Sequence, residues 1–473
     1  MPVEQINHSS PLNSSSTLKT CPVVRGYPVV GVLPKLLLNP LQLLEQIVKE
    51  YPGEVVAIKI GPVHVYLATH PNYAKYVLND NWQNFSRGKL KYKVVRKILG
   101  NSVLTNEGES WFRIRQLMQP LFTANQANAF TELTVKLIAD SILNLEVSAD
   151  NSLIYVEKEM SLLTQSVLLG IMFGSSITAS QARNVAEAIK VLTREISRRI
   201  FLSFLPDWLP LPREKAICNA IKTIDDIILP LIRTRRKSKE DHNDLLNRLL
   251  HACDTETNTG MNDQQLRDEC IGMYLAGFEA TSNTLTWIWY LLDKHPEVEH
   301  KLRTEIDAVL GKRQPTSSDI AKLQYTKMVI QEAMRLYPSS WFGTRVLQAP
   351  DEIGGYSLKA GETVLLSSYL THRLPQFWSQ PEVFDPERFD PEHSKQLHPY
   401  AYFPFGGGPH LCLAKHFALM EMQLIIVMLM QKYRLRCVPG HLVVPSYGIT
   451  LRLRYGLRMT LEPIVPPVVA LDI

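Results

Sequence analysis

Hydrophobic residues recur at spacings of three and four over most of the chain between residues 109 and 336, and this pattern predicts α-helices with one apolar face. The longest such pattern covers residues 264–293, enough for a helix that crosses a whole domain. His295-Pro296 is expected to end it and to start the next helix. A further helix is predicted at Gln324–Leu336.

Short alternating stretches predict two β-hairpins, one turning at Gly61-Pro62 and one at Gly354-Gly355. The paired segments are residues 55–60 with 63–68, and residues 351–353 with 356–358. Three closely spaced prolines predict a loop between two helices, at Pro206, Pro210 and Pro212. The fold is therefore expected to be mainly α with small β-sheets.

No linker or internal repeat divides the chain, so residues 20–473 are expected to form a single domain after a flexible, Ser- and Asn-rich tail at residues 1–19. The 51 basic and 46 acidic residues give a net charge of +5, too mild and too scattered to indicate nucleic-acid binding. The densest basic run is expected to be a solvated helix end that leads into a loop: Arg233, Arg235, Arg236, Lys237 and Lys239.

Six cysteines without CxxC spacing exclude the usual zinc sites and a disulfide framework, and a reducing cytoplasm fits best. No signal peptide is visible, and no stretch reaches the ~18 apolar residues of a membrane span. The most apolar segment, residues 417–430, contains Glu421 and Gln423 and is predicted to be a buried helix. A protein without a membrane span is expected.

The segment from Phe403 to Ala414 carries the most specific chemistry. Its three glycines permit backbone angles closed to other residues and the close approach of a flat ligand. Cys412 follows where a helix is expected to start, at Leu413. Backbone N–H groups there favour an anionic sulfur and should lower the thiol pKa. Such a thiolate can ligate haem iron, whereas most single cysteines are buried and inert.

Four further patterns occur in a fixed order. Trp111 and Arg115 lie four residues apart on a predicted helix, and Glu332 and Arg335 lie three apart on another. The long helix contains Ala276-Gly277-Phe278-Glu279-Ala280-Thr281, and a Pro-Glu-Arg-Phe segment ends at Phe389. Each pattern alone is common in proteins.

Together with the cysteine segment, these patterns closely resemble the cytochrome P450 superfamily, in particular its soluble bacterial members. The cysteine motif F-x-x-G-x-R-x-C-x-G matches at Phe405, Gly408 and Cys412, but His410 replaces its arginine and Ala414 its last glycine. The resemblance extends over essentially the whole chain. It implies a triangular helical prism with haem b between the long central helix and the helix after the cysteine.

The resemblance also implies roles for the matched residues. Cys412 is the expected thiolate ligand, within a loop that includes Phe405, Gly408 and Ala414. The haem propionates are expected to bind four side chains: Trp111, Arg115, Arg345 and His410. A buried ion network that supports the cysteine loop is expected to consist of Glu332, Arg335 and Arg388.

On the central helix, Ala276 and Gly277 are expected to leave room for O₂, and Glu279 to take part in proton delivery. The family's usual threonine is Ala280 here. Thr281 is the next residue, about 100° around the helix, and should not substitute for it directly. In some family members with this alanine, a hydroxyl of the substrate takes over the task.

The expected function is monooxygenation of an apolar small molecule of the terpenoid, fatty-acid or polyketide-like classes. Electrons should come from a separate ferredoxin or flavodoxin with its reductase, steered by a basic patch that includes Arg113 and Lys415. A monomer is expected. Desaturation, oxidative coupling or peroxide-driven oxidation is the alternative, and a non-catalytic haem sensor is a third.

The substrate pocket should draw on residues 89–104, 200–208, 339–343 and 447–450 together with Leu275 and Ala276. An apolar lining is suggested by aromatic side chains in these segments: Phe201, Phe204, Trp208, Trp341 and Phe342.

Overall fold

The computed structural model describes residues 21–61, 63–88, 95–148, 153–201, 213–238, 240–254 and 258–464. The predicted N-terminal tail and the three-proline loop lie outside these residues, as do residues 89–94 of the predicted pocket.

The described part is mainly helical with small sheets, as predicted. Its main α-helices are α1 (Leu33–Leu38), α2 (Pro40–Glu50), α3 (Pro71–Lys75), α4 (Gly108–Met118), α5 (Ala124–Ala129), α6 (Thr131–Ser148), α7 (Val156–Phe173), α8 (Ala179–Phe201), α9 (Glu214–Lys237), α10 (Leu245–His251), α11 (Asp263–Lys294), α12 (Pro296–Val309), α13 (Ser317–Ile320), α14 (Gln324–Leu336), α15 (Ser368–Thr371), α16 (Pro391–Ser394) and α17 (Lys415–Met430).

The strands are β1 (Val55–Ile60), β2 (Val63–Ala68), β3 (Phe85–Ser86), β4 (Leu153–Tyr155), β5 (Gly343–Leu347), β6 (Asp351–Ile353), β7 (Tyr356–Leu358), β8 (Thr363–Leu366), β9 (Tyr433–Cys437), β10 (Pro445–Tyr447), β11 (Leu451–Leu453) and β12 (Arg458–Pro463). The largest sheet has the order β1-β2-β8-β5-β3, and a three-stranded sheet has the order β4-β12-β9. Both predicted hairpins form, as β1–β2 and β6–β7.

The central helix α11 runs for 32 residues, and its sequence explains both ends. The Asn262 side chain accepts a hydrogen bond from the backbone N–H of Gln265 and caps the first turn. His295 ends the helix, and Pro296 opens α12. Because α11 packs against α7, α9, α14 and α17, it lies inside the molecule and positions the site.

The apolar segment near the C-terminus forms α17, whose last nine residues are all buried. Gln423, one of its two polar interruptions, donates hydrogen bonds to the carbonyl groups of Ile320 and Leu323 at 3.3 and 3.1 Å. The prediction of a buried helix is therefore confirmed. No helix among the described residues is long and apolar enough to cross a membrane.

The basic run at the end of α9 differs from the prediction. Arg235 is buried and donates to Asp244 at 2.6 Å, because its position in the run falls on the inner face of the helix. Arg233 and Arg236 do face solvent, where they pair with Asp263. Lys239 lies outside the described residues.

Candidate active site

The cysteine loop is a tight turn that leads into α17. The backbone N–H of Cys412 donates to the carbonyl of Phe405 at 2.9 Å, which closes the loop on itself. Ala414 is the residue before the first turn of the helix, with φ −89° and ψ 19°. These angles are open to any residue, so the alanine that replaces the family's glycine fits without strain.

Glycine is required at Gly408 by a close contact with protein. Its φ is +61°, and a Cβ atom there would lie 1.8 Å from the carbonyl oxygen of Leu78. Gly407 is crowded in the same way by the Tyr400 ring, at 2.5 Å. Gly408 thus takes a backbone angle closed to other residues, as predicted, and both glycines also answer to close protein contacts. They let the loop pack against residues 76–80 and Tyr400.

The Cys412 side chain is exposed at the surface of the site, although protein atoms surround it closely. Desolvation by these surrounding atoms raises the pKa of its thiol, against the prediction of a lowered value. A hydrogen bond from the Ala414 backbone and the charges of Arg115 and Lys415 act in the predicted direction. They do not outweigh desolvation, which is the largest of these effects. The helix begins at Lys415 and not at the predicted Leu413, so Cys412 lies three residues before it.

Aromatic and basic side chains from distant segments meet at His410. The Trp111 ring lies 3.9 Å from the His410 ring, centroid to centroid, and the Arg87 guanidinium donates to Nδ1 of His410 at 2.5 Å. Since a guanidinium can only donate, His410 carries its proton on Nε2. Burial and the charges of Arg87, Arg345 and Arg115 lower the pKa of His410 to about 2, so the ring is neutral.

The donors of this cluster are arranged for an anion. Trp111 is 2% exposed, and its Nε1 is buried without a hydrogen-bond partner among the described residues. Arg115 is half-buried, and desolvation lowers the pKa of its guanidinium. Arg345 also acts on His410, from strand β5 of the largest sheet. Three arginines, a neutral histidine and an unpaired indole N–H form a site that carboxylates would satisfy.

The expected ion network forms beside the cysteine loop. Arg335 donates to both carboxylate oxygens of Glu332, at 2.7 and 2.8 Å, and both side chains are fully buried. Nε of Arg388 lies 3.4 Å from Glu332 Oε1 without an aligned hydrogen bond. Arg335 also donates to the carbonyl groups of His372, Pro381 and Val383. The structure thus brings all three predicted residues together and ties them to residues 372–388.

Midway along α11, Ala276 is exposed, whereas Tyr274 and Phe278 on the same helix are buried. Protein atoms therefore do not cover the Ala276 side chain. At Gly277, a Cβ atom would lie 3.0 Å from the Leu168 side chain on α7. The absence of a side chain at Gly277 therefore permits these two helices to pack closely.

The hydroxyl groups that follow on α11 bond to their own helix. Thr281 donates to the carbonyl of Gly277 at 2.9 Å, and Thr284 to that of Ala280 at 2.9 Å. The Thr281 hydroxyl thus donates its proton to its own helix, one residue beyond the position where Ala280 lacks a hydroxyl. The Glu279 carboxylate instead accepts a hydrogen bond from Thr450, at 2.6 Å.

Two segments of the predicted pocket, residues 339–343 and 447–450, are joined to each other. Trp341 Nε1 donates to the carbonyl of Gly448 at 3.0 Å, and the N–H of Leu451 donates to the carbonyl of Ser339 at 2.9 Å. Trp341 is 5% exposed and packs on Phe342 in a core cluster, so its ring is part of the core. Phe204 and Trp208 lie outside the described residues, and nothing is described of the Phe201 side chain.

Sequence reasoning missed Arg87 altogether and gave no individual role to Thr450 or Glu421. Arg87 and Thr450 belong to no motif, and they reach their partners across 323 and 171 residues of chain. Glu421 is a half-buried acid on α17 whose enclosed Oε1 has no hydrogen-bond partner among the described residues, and desolvation raises its pKa to about 8. An acid inside an apolar helix is a signal that the sequence does contain.

Two residues were predicted to belong to a basic patch, Arg113 and Lys415. The Arg113 guanidinium donates to Thr259 and to the carbonyl of Gly260, both at 3.2 Å, so it holds a loop. Lys415 opens α17 and, with Gln331 and Met334, lines a cavity of about 340 Å³ beside the cysteine loop. Cys412 is not among the residues that line this cavity.

Comparison with known proteins agrees with this geometry. The family model for cytochrome P450 matches residues 22–453. A cyclooctat-9-en-7-ol 5-monooxygenase of Streptomyces melanosporofaciens is 33% identical over 85% of this chain and 86% of its own. A pentalenene oxygenase of Streptomyces avermitilis is 28% identical over 92% and 96%.

Among solved structures, the crystal structure of the cytochrome P450DA heme domain matches with a TM-score of 0.86 and 22% identity, over 95% of this chain and 99% of that one. This structural likeness supports the same fold that the sequence motifs predict. The family match covers the whole set of motifs, from Trp111 to the cysteine loop. The chain therefore belongs to the cytochrome P450 family and is a monooxygenase of that family.

Proposed function

We propose that the chain holds haem b through the Cys412 thiolate and hydroxylates a terpenoid substrate. When bound, the haem supplies oxygen activation, which thiolate donation assists. One substrate molecule, one O₂, two electrons and two protons give the hydroxylated product and one water. The observation that carries the proposal is the cluster of donors around His410, two residues before Cys412.

The donor cluster fits the two propionate groups of a haem. Trp111 Nε1 is a buried donor without a partner, and His410 Nε2 is a second donor fixed by the bond at Nδ1. Arg115 and Arg345 are proposed to add charge-assisted hydrogen bonds to the same carboxylates. Phe405, Gly408 and Ala414 are proposed to shape the loop that presents the sulfur. Glu332, Arg335 and Arg388 are proposed to fix the chain beneath that loop.

The substrate proposal rests on the relatives and on the site. Two relatives are named for cyclic terpenoids, cyclooctat-9-en-7-ol and pentalenene. The described part of the site adds apolar groups, with Leu275 half-buried beside the exposed Ala276. An apolar, preformed pocket gains most of its affinity from burying hydrocarbon. A terpenoid that carries one oxygen is the substrate favoured by Ala280, since the helix there offers no hydroxyl of its own.

The electron donor is proposed to be a small ferredoxin or flavodoxin with its own reductase. Lys415 lines the cavity beside the cysteine loop, and Arg113 keeps its charge because its hydrogen-bond acceptors are neutral, so both are proposed to steer the donor. An acidic carrier would then dock near α17. We also propose that residues 20–473 act as one monomeric domain.

Peroxide-driven oxidation is the second candidate, and one observation favours it. Ala280 has no hydroxyl, and Thr281 is bonded to the Gly277 carbonyl. Peroxide brings both protons and both electrons with its oxygen, so it places less demand on proton delivery through α11.

The experiment is a spectral titration of the purified holoenzyme with cyclooctat-9-en-7-ol, pentalenene, a C16 fatty acid and a macrolide. A terpenoid should shift the Soret band from low spin to high spin with the lowest Kd, and product should then form with reductant and O₂. Tighter binding and turnover of the fatty acid or macrolide would contradict the substrate class. Turnover with peroxide alone would favour the second candidate.

A further inference from the structure

The turn at residues 448–450 forms a hydrogen bond to Glu279, the acidic residue midway along α11. This turn connects β10 and β11, which pair through Tyr447 and Leu451. At its end, the Thr450 hydroxyl donates to Oε1 of Glu279 at 2.6 Å. Both residues are half-buried, and 171 residues separate them in the chain. A short hydrogen bond to a carboxylate is stronger than one between neutral groups, so it fixes the rotamer of Glu279.

Hydrogen bonds to residues 339–341 hold the turn in place. Trp341 donates to the carbonyl of Gly448, and the N–H of Leu451 donates to the carbonyl of Ser339. Within the turn, the N–H of Gly448 donates to the carbonyl of Thr450 at 3.3 Å. Residues 339–341 and the turn are therefore hydrogen-bonded into one unit. Thr450, at the end of the turn, bonds this unit to the Glu279 carboxylate.

The neighbouring hydroxyl groups on α11 do not serve this purpose. Thr281, Ser282 and Thr284 donate to the carbonyl groups of Gly277, Glu279 and Ala280, one turn back along their own helix. Ala280 has no hydroxyl. The hydroxyl that bonds the Glu279 carboxylate thus comes from another segment, the turn at residues 448–450.

We propose that Thr450 is a positioning residue that holds Glu279 in one orientation and thereby links the pocket wall to proton supply. This inference rests on the proposed function and adds a residue to it. Hydroxylation consumes two protons for each O₂, whereas incomplete use of O₂ releases hydrogen peroxide. A carboxylate free to rotate would spend part of its time turned away from the proton route. A substrate that presses on the 448–450 turn would also act on Glu279 through Thr450.

The first test is a double-mutant cycle on the unfolding temperature of the holoenzyme, with Thr450→Val and Glu279→Ala. If the bond exists, each variant unfolds a few degrees earlier, and the double variant unfolds no earlier than the less stable single one. Thr450→Ser keeps the hydroxyl and should match the wild type. Thr460→Val is the matched control, since Thr460 donates to the carbonyl of Arg436 on a distant sheet. Additive effects would overturn the assignment.

The second test measures product and hydrogen peroxide per electron pair, with cyclooctat-9-en-7-ol as the probe and a plant ferredoxin with its reductase as the donor. Thr450→Val should lower the product yield about tenfold, within the range typical of positioned proton transfer. Glu279→Ala should lower it as much, and the double variant no further. Thr450→Ser should restore the yield, and the spectral Kd should stay within about twofold of the wild type.

The third test supplies hydrogen peroxide in place of O₂ and reductant. Thr450→Val should then turn over as fast as the wild type, because peroxide carries its own protons. An equal loss in both arms would show a merely structural role and overturn the inference. An unchanged product yield in the O₂ arm would also overturn it. If the wild type forms no product in either arm, the proposed substrate class fails, and the unfolding cycle alone decides the role of Thr450.

Discussion

Glu332 and Arg335 share two hydrogen bonds of 2.7 and 2.8 Å, and neither side chain reaches solvent. Burial alone raises the pKa of Glu332, and the guanidinium opposes this rise. Two charges that have lost their water depend on each other, so removal of one leaves the other buried without a partner.

Replacement of Glu332 should therefore destabilise the protein strongly. We expect Glu332→Ala to lower the free energy of unfolding by about 3–5 kcal/mol, and haem content with it. Glu392→Ala is the control, because its pair with Lys395 is largely exposed and should contribute less than about 1 kcal/mol. Denaturant unfolding and the ratio of Soret to protein absorbance measure both quantities. Normal haem content in Glu332→Ala would show that the network is dispensable.

Arg87 should contribute to haem retention although no motif contains it. Its guanidinium donates to His410 and to the carbonyl of Leu104, at 2.5 and 2.9 Å, so it joins the donor cluster to a nearby loop. Arg87→Met keeps much of the side-chain volume and removes the charge. We expect about tenfold faster haem transfer to apomyoglobin, the scale of one charge-assisted hydrogen bond. The exposed Arg233→Met should match the wild type, and an equal rate for both variants would contradict the role.

Glu421 should make the protein less stable as the pH rises. The unfolded chain releases this proton near its usual pKa of 4.5, whereas desolvation keeps it bound in the folded state up to about 8. Between these values the folded state holds more protons, so its stability falls with pH by up to about 1.4 kcal/mol per unit. Glu421→Gln removes this contribution.

Unfolding free energies between pH 6 and 8.5 test this prediction. The curve of Glu421→Gln should decline less steeply than that of the wild type, and the two should differ most above pH 8. The exposed Glu352→Gln is the control and should leave the slope unchanged. Parallel curves for the wild type and Glu421→Gln would mean that the acid is not desolvated in the folded protein.

Ala280 should make turnover depend on an oxygen atom of the substrate. With a methyl group at position 280 and Thr281 bonded to Gly277, α11 supplies no free hydroxyl there. We expect a substrate that lacks its hydroxyl to give at least about tenfold less product per electron pair. Ala280→Thr should recover part of this loss. The comparison uses cyclooctat-9-en-7-ol and its deoxygenated analogue, and equal yields from both in the wild type would refute substrate assistance.

Local spacing made parts of the site predictable. Glu332 and Arg335 lie three residues apart on one helix, and a turn of helix brings such residues together whatever surrounds them. The bounds of α14 and the hairpins followed from periodicity and from proline and glycine positions in the same way.

Contacts across the chain were not predictable, because they depend on how the elements pack. The bonds from Arg87 to His410 and from Thr450 to Glu279 are of this kind. Packing also places Gly277 against the Leu168 side chain and Gly408 against the Leu78 carbonyl, which local sequence could not indicate. The raised thiol pKa of Cys412 has the same origin, since desolvation depends on every neighbouring atom.

The most direct test of the central proposal is the spectrum of the reduced protein with carbon monoxide. The wild type should show the red-shifted Soret band of thiolate ligation, and Cys412→Ala should lose it. Cys437→Ala, which removes a half-buried cysteine on β9, should retain it. A Cys412→Ala protein that keeps the band, or a wild type that never shows it, would contradict the assignment of Cys412 as the haem ligand.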